Sequence, residues 1–127
     1  MGNLLLVGFG GAIGAMARYL VGGWVLHHTI QERLPWGTLA VNLLGCLAIG
    51  LLAGAAERFE ILTPEARLFL ITGVLGGFTT FSAFGYDTVF LLRRGEALVA
   101  AGYVGASGGL GIAAVWLGLR MVHWLPR

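Results

Sequence analysis

Four long apolar runs, separated by three short breaks that hold most of the charged residues, constrain this chain more than any other feature. The runs cover about 3–26, 36–56, 66–92 and 97–122 of the 127 residues. A bilayer core about 30 Å thick is crossed by about 20 helical residues, so each run is long enough to span it. Backbone polar groups in hydrocarbon must be paired internally, and the runs are too long for barrel strands. We therefore predict an all-α membrane protein with four transmembrane helices in a single domain, residues 1–127.

The composition excludes several other classes of protein. Hydrophobic residues make up 57% of the chain and charged residues 11%, whereas soluble domains are about a quarter charged. The eight basic residues are all arginine and form no basic run, so we expect no nucleic-acid partner. Cys46 is the only cysteine, which rules out an intrachain disulfide. No nucleophile, base and orienting group occur together, and we predict that the chain is not an enzyme.

The arginines give almost no preference for one orientation in the membrane. Arg58, Arg67, Arg120 and Arg127 fall on the side of the termini, and Arg33, Arg93 and Arg94 on the other side. Because an excess of positive charge fixes the cytoplasmic side, this near tie predicts insertion in both orientations. Four helices of this size also cannot enclose much of a pore alone. We therefore predict an antiparallel, dual-topology homodimer.

Glycine pairs four residues apart occur in three of the apolar runs. They are Gly10/Gly14, Gly50/Gly54 and Gly105/Gly109. Small residues at this spacing allow helix backbones in a membrane to approach closely. We expect these pairs to mark tight helix packing.

The third run is predicted to break near its middle, where Gly76 and Gly77 are followed after one residue by Thr79 and Thr80. Glycine costs about 1 kcal/mol inside a helix relative to alanine, and threonine loses rotamer freedom there. A break frees carbonyl groups, and non-helical backbone at membrane depth persists only where it meets protein or a wet cavity. An uninterrupted helix packed through its glycines is the alternative.

A few polar side chains lie within the apolar runs. Asn42 carries two N–H donors that can hold an anion, or it can join two helices; both interpretations stay open. Tyr103 and Ser107 are four residues apart and share one face of the fourth helix. Arg18 is a charge inside the first run, where charges are functional by default, with snorkelling toward the interface as the alternative. Asp87 is expected at the membrane interface.

Three motifs resemble the Fluc (CrcB) family of bacterial fluoride channels, in order and over essentially the whole chain. They are GAIGAMARY at 11–19, PWGTLAVNLLG at 35–45 and GGFTTFSAF at 76–84. The resemblance implies an antiparallel homodimer in the bacterial inner membrane, with two fluoride pores along the subunit interface. It also implies passive fluoride export, which lowers cytoplasmic fluoride.

The resemblance further implies roles for residues at matching positions. Backbone carbonyls of Gly76 and Thr79 from both subunits would hold one structural sodium ion. The implied pore residues are Asn42, Phe81, Phe84, Ser82, Thr80, Tyr103, Thr38 and Ser107, with Arg18 toward a vestibule. Ala83 departs from the usual threonine of the family. The series of hydroxyls continuing from Ser107 also fails at Gly111 and Val115, which puts the lower part of the polar track in question.

These residue types suit the implied ions. Fluoride is small and strongly hydrated, so a selective path must replace its water with amide and hydroxyl donors. The positive edges of Phe81 and Phe84 favour an anion. Carbonyls at a bent helix only accept hydrogen bonds and therefore suit a hard cation.

Two other functions are compatible with a short four-helix membrane protein. A coupled exporter resembling the small multidrug transporters would rely on a membrane-embedded carboxylate to exchange protons for a cationic drug. A non-transporting scaffold is favoured by the glycine content, although it explains neither Asn42 nor the break in the third helix.

Overall fold

The computed structural model describes residues 1–126, so Arg127 of the orientation count lies outside the described part. Every regular element within residues 1–126 is helical. Four helical spans are long and apolar enough to cross a membrane: Gly2–His28, Trp36–Phe59, Pro64–Arg93 and Ala97–Trp124. The first two are α1 and α2; the third consists of α3 (64–78) and α4 (Phe81–Arg93), and the fourth is α5. The predicted fold of four membrane helices is confirmed.

The third span changes its helical geometry twice before its break. It begins as an α-helix at Pro64–Arg67, widens to a π-helix at Leu68–Leu75 and returns to an α-helix at Gly76–Phe78. Pro64 suits the first turn because its missing N–H has no helical partner there. Thr63 caps this start, accepting a hydrogen bond from the Ala66 N–H at 3.2 Å. Wide helical turns of the π type occur frequently at functional sites.

Glycines bring α1 against α3 backbone to backbone. A methyl group added to Gly73 would lie 2.9 Å from the Cα of Gly10, and one added to Gly10 would lie 2.5 Å from the Phe69 carbonyl oxygen. Gly14 is buried by the same contact. The Gly10/Gly14 pair therefore packs tightly, as its spacing predicts.

A second glycine contact joins α2 to α5. A methyl group on Gly118 would lie 2.6 Å from the Leu47 carbonyl oxygen, and Gly50 and Gly54 face the same helix. The pair at 105 and 109 behaves differently, because a methyl group at either position would meet no described atom within 4 Å. This third pair therefore packs on no other helix of the same subunit.

The ends of α2 and α5 meet on one side of the molecule. The Arg58 guanidinium donates hydrogen bonds to the carbonyls of His123 and Leu125, where α5 ends. These carbonyls belong to the last helical turn and its boundary, which lack intrahelical donors. The contact closes the bundle at the side that also holds the start of α3.

The interior of the bundle is small, and its centre lies between α2, α4 and α5. Its buried members are Leu39, Leu91, Ala100 and Tyr103, with Phe84 packed beside them. Large apolar side chains such as Phe9 and Leu20 on α1 are mostly exposed. Such an outer surface is suited to lipid rather than to water. The chain is thus a multi-pass membrane protein with one buried cluster around Tyr103.

Candidate functional site

The third span breaks at Thr79 and Thr80. Helix α3 ends at Phe78, and Thr79 then takes an extended conformation with ψ of 155°. Thr80 is also extended, with φ of −147° and ψ of 116°, before α4 begins at Phe81. The predicted break is therefore confirmed, and the alternative of an uninterrupted glycine-packed helix is wrong.

Asn42 of α2 pairs with the extended backbone of the break. Its Nδ2 donates to the Thr80 carbonyl at 2.9 Å, and the Thr80 N–H donates to its Oδ1 at 2.8 Å. The amide thus takes the place of a neighbouring strand and satisfies two backbone groups that would otherwise be unpaired at membrane depth. Of the two interpretations left open for Asn42, joining two helices is realised here. The second N–H of the amide donates to no group within residues 1–126, and it remains available to an anion.

The break leaves the carbonyl groups of Gly76 and Thr79 without their helical donors. In a continuous helix, the Thr80 N–H would donate to Gly76 and the Ala83 N–H to Thr79. In the structure, the Thr80 N–H donates to Asn42 instead. The Ala83 N–H donates to the Thr80 Oγ1 at 3.1 Å, and Thr80 is thus the N-cap of α4. The carbonyls of Gly76 and Thr79, which the resemblance implies as sodium ligands, therefore lie at the break.

Three aromatic rings extend from the break into the bundle. The centroids of Phe81 and Phe84 are 5.5 Å apart at an interplanar angle of 39°, and those of Phe84 and Tyr103 are 5.2 Å apart at 44°. Phe81 is 84% exposed and projects out of the subunit, whereas Tyr103 is completely buried. The tilted rings present their positive edges as well as their faces.

An open groove of about 560 Å³ runs along this aromatic series. Asn42, Thr80, Phe81, Phe84, Ser107 and Cys46 are among its lining residues. The Ser107 hydroxyl is buried with no hydrogen-bond partner within the described chain. The exposed Ser82 hydroxyl lies 3.2 Å from that of Thr80. The groove therefore combines apolar walls with a few polar atoms.

The polar lining does not continue along α5 beyond Ser107. A methyl group on Gly111 would lie 3.4 Å from the Cys46 Sγ, and the Val115 carbonyl lies against Gly50 of α2. Both positions are thus used for packing α5 on α2. The departures at these two residues from the polar series of the family coincide with a helix contact.

A smaller cavity of about 160 Å³ lies on the other side of the break. Arg18 of α1 and Thr38 of α2 line it together with Thr80 and Ala83. Arg18 is half-buried there, and its guanidinium makes no hydrogen bond or ion pair to any residue in the range 1–126. Because Thr80 lines both spaces, the break separates the Arg18 cavity from the aromatic groove.

Asp87 has a partner that the sequence did not indicate. It is half-buried on α4 and accepts a hydrogen bond from the Tyr103 hydroxyl at 3.2 Å. Its position three residues after Phe84 was the available signal, since residues three apart share a helix face. Depth along an apolar run is a poor guide to such a pairing, because the partner comes from α5.

Comparison with known proteins identifies the family. Residues 5–119 match the family described as CrcB-like protein, Camphor Resistance (CrcB). The chain belongs to the CrcB family. A CrcB relative from Methylobacillus flagellatus is 46% identical over 122 residues, which cover 96% of this chain and 95% of the relative. Others from Rhizobium johnstonii and Hyphomonas neptunium are 51% and 52% identical over 95% and 100% of this chain, and over 96% and 97% of their own lengths. All three relatives are named fluoride-specific ion channel FluC.

Proposed function

We propose that this CrcB chain forms a fluoride-specific ion channel that conducts fluoride passively out of the cell across the inner membrane and so lowers cytoplasmic fluoride. The observation that carries the proposal is the paired Asn42–Thr80 break, which places amide, hydroxyl and phenyl-edge groups together inside a membrane bundle. Relatives 46% to 52% identical over nearly the whole chain carry the name of that function. An ion channel is not an enzyme.

The fluoride path runs from the Arg18 cavity, past the break, into the aromatic groove. Arg18 attracts the anion at the entrance, and Thr38 lines the same cavity. At the break, the free N–H of Asn42 and the neighbouring hydroxyls replace part of the hydration shell. Beyond it, Phe81, Phe84 and Ser107 line the groove, and the Ser107 hydroxyl is buried in the groove wall. Polar side chains thus occur along the whole path.

Selectivity follows from the cost of removing water from the ion. Fluoride holds its water tightly, so it enters only where donors replace that water at short range. The donors here are few and are separated by phenyl rings, which offer only their edges to an anion. A larger chloride ion fits less closely between the rings and gains less from each donor.

The path requires a second copy of the chain. The groove is open along one side, and the exposed Phe81 ring projects away from its own subunit. A second copy placed antiparallel would close the groove and accept this ring, giving two equivalent paths. The near-equal count of arginines on the two sides supports an antiparallel arrangement, because it permits insertion in both orientations.

A structural sodium ion fits the break. The carbonyls of Gly76 and Thr79 lack their helical donors, and carbonyl oxygens are ligands for hard cations. Two such carbonyls from each antiparallel subunit would hold the ion between the subunits. When bound, the ion supplies positive charge that favours anions nearby and a link between the two breaks.

Neither alternative function has support. A multidrug-type exporter needs an embedded carboxylate that is free to exchange protons with its substrate. Asp87 instead accepts a hydrogen bond from the Tyr103 hydroxyl, and the three relatives described above are named fluoride-specific ion channels. A non-transporting scaffold gives no reason for the polar groups in the groove.

Fluoride efflux from liposomes that contain the purified protein tests the function. Fast fluoride efflux with no chloride efflux is expected, and Phe81→Ile and Asn42→Ala should slow it. Phe9→Ile is the matched control, since Phe9 is an exposed residue of α1 away from the groove. Correctly dimeric protein that passes no fluoride would overturn the proposal. Equal slowing by Phe9→Ile and Phe81→Ile would mean that Phe81 is not part of the fluoride path.

A further inference from the structure

A carboxylate lies beside the proposed anion path, and the path gives it no role. Asp87 is half-buried on α4, one turn beyond Phe84. A negative charge near the path repels an anion, and the repulsion grows as the surroundings become less polar. A carboxylate at this position therefore needs a favourable role that offsets its repulsion of the anion.

The structure shows a role of this kind in the hydrogen bond that Asp87 accepts from Tyr103. The Tyr103 hydroxyl donates to the Asp87 Oδ2 at 3.2 Å, and the tyrosine is completely buried. A phenol has a single O–H to donate, and a carboxylate accepts it more strongly than a neutral oxygen does. The hydroxyl proton of Tyr103 is thus directed at Asp87.

The ring of Tyr103 is in turn packed against Phe84. Their centroids lie 5.2 Å apart, and Phe84 lies 5.5 Å from Phe81. A ring held at its hydroxyl end and packed along its side has little freedom to rotate. Asp87, Tyr103 and Phe84 therefore form a continuous series of contacts that ends in the groove.

The neighbouring position on α4 favours this pairing. Ala83 is four residues before Asp87, and residues at this spacing share a helix face. A hydroxyl at position 83 would compete for the carboxylate, but alanine has none. The hydroxyl of the neighbouring Thr88 donates to the Phe84 carbonyl at 2.8 Å and not to Asp87. Within residues 1–126, Tyr103 is the side chain that donates to Asp87.

We propose that Asp87 is a positioning residue of the fluoride path. By accepting the Tyr103 hydroxyl, it fixes the Tyr103 ring and thereby holds Phe84 with one edge toward the groove. Tyr103 then acts through its ring rather than as a donor to fluoride. This inference rests on the proposed function for its effect on flux, whereas the ring arrangement can be tested without transport.

A double-mutant cycle in liposomes tests the effect on flux. Asp87→Ala and Tyr103→Phe should each slow fluoride efflux on the order of tenfold, the size expected for one hydrogen bond to a charged group. Combined, they should slow it no more than either alone, because they remove the same contact. Asp87→Asn keeps a carbonyl acceptor and should recover part of the flux. Glu57→Ala, at an exposed acid of α2, is the matched control and should change nothing.

Two results of the cycle would overturn the proposal. Faster efflux in Asp87→Ala would mean that the carboxylate acts mainly as a repulsive charge. Independent, multiplicative slowing by the two substitutions would mean that Asp87 acts without Tyr103. Asp87→Asn provides the comparison if Asp87→Ala does not yield a dimer.

A spectroscopic measurement separates this proposal from the proposed function. With 4-fluorophenylalanine at position 84, the ¹⁹F resonance should shift or split in Asp87→Ala and equally in Tyr103→Phe, but not in Glu57→Ala. An unchanged resonance would overturn the positioning role, even in a channel that conducts fluoride. Absence of fluoride flux in the unsubstituted protein would overturn the function alone, while the resonance still decides the ring arrangement.

Discussion

The side chain of Asn42 and the backbone of Thr80 are joined by two hydrogen bonds, of 2.9 and 2.8 Å, between residues 38 positions apart. One amide thereby satisfies both the N–H and the C=O of an extended residue inside a membrane helix. Because hydrocarbon offers no hydrogen-bond partners, the pairing of these two backbone groups inside the bundle depends on this amide. The interruption of the third span thus depends on α2.

Replacement of Asn42 by leucine is expected to destabilise the protein. The two Thr80 groups would lose their partners, and each buried unpaired group costs about 1–3 kcal/mol. Asn42→Asp keeps an acceptor for the Thr80 N–H but removes the donor to the Thr80 carbonyl, so it should also destabilise the protein. Thermal unfolding of the purified dimer measures the effect, with Asn3→Leu on exposed α1 as the control. Equal melting temperatures for Asn42→Leu and Asn3→Leu would contradict a structural role for the pair.

Replacement of Arg18 by glutamine is expected to slow fluoride efflux by about tenfold in dilute salt, because a positive charge at an entrance raises the local anion concentration. The loss should shrink as inert salt is raised from about 10 mM to about 1 M, over which the Debye length falls from about 30 to about 3 Å. Arg18→Lys keeps the charge and should retain most of the flux. A loss that is independent of salt would point to direct contact with the ion instead.

Replacement of Gly10 by alanine is expected to weaken the packing of α1 on α3. The added methyl group would lie 2.5 Å from the Phe69 carbonyl oxygen, and overpacking of this kind costs about 1–3 kcal/mol. Gly8→Ala on the same helix meets no described atom within 4 Å and should be neutral or slightly stabilising, since alanine favours helix. Thermal unfolding of the two variants side by side checks this. Similar stabilities would show that α1 moves away from α3 without penalty.

Removal of sodium is expected to lower the melting temperature of the dimer. A ligand that binds only the folded state stabilises it by about 2.7 kcal/mol at a hundredfold excess over its Kd. Dialysis into N-methylglucamine, followed by titration with sodium, should restore the melting temperature along a saturating curve. Potassium at equal ionic strength serves as the control for a general salt effect. A melting temperature that is the same with and without sodium would argue against a structural ion.

The four spans and the break in the third were predictable from the sequence. Helix formation in a membrane depends on the length of an apolar run, which is a local property. The break was predictable for the same reason, since Gly76, Gly77, Thr79 and Thr80 all disfavour helix within one short stretch. The wide helical geometry at Leu68–Leu75 was not predicted, because no residue type marks it.

The partners of individual residues were decided by the tertiary structure. The sequence left Asn42 between an anion ligand and a helix contact, and it indicated no partner for Asp87. The glycine spacing also predicted tight helix packing for the pair at 105 and 109, as for the pair at 10 and 14. Only the packing of α2 and α5 against α4 pairs Asn42 with Thr80 and Asp87 with Tyr103, since those partners come from other helices. The pattern of apolar residues determines which segments enter the bilayer, whereas the packing of one helix on another determines which polar groups meet there.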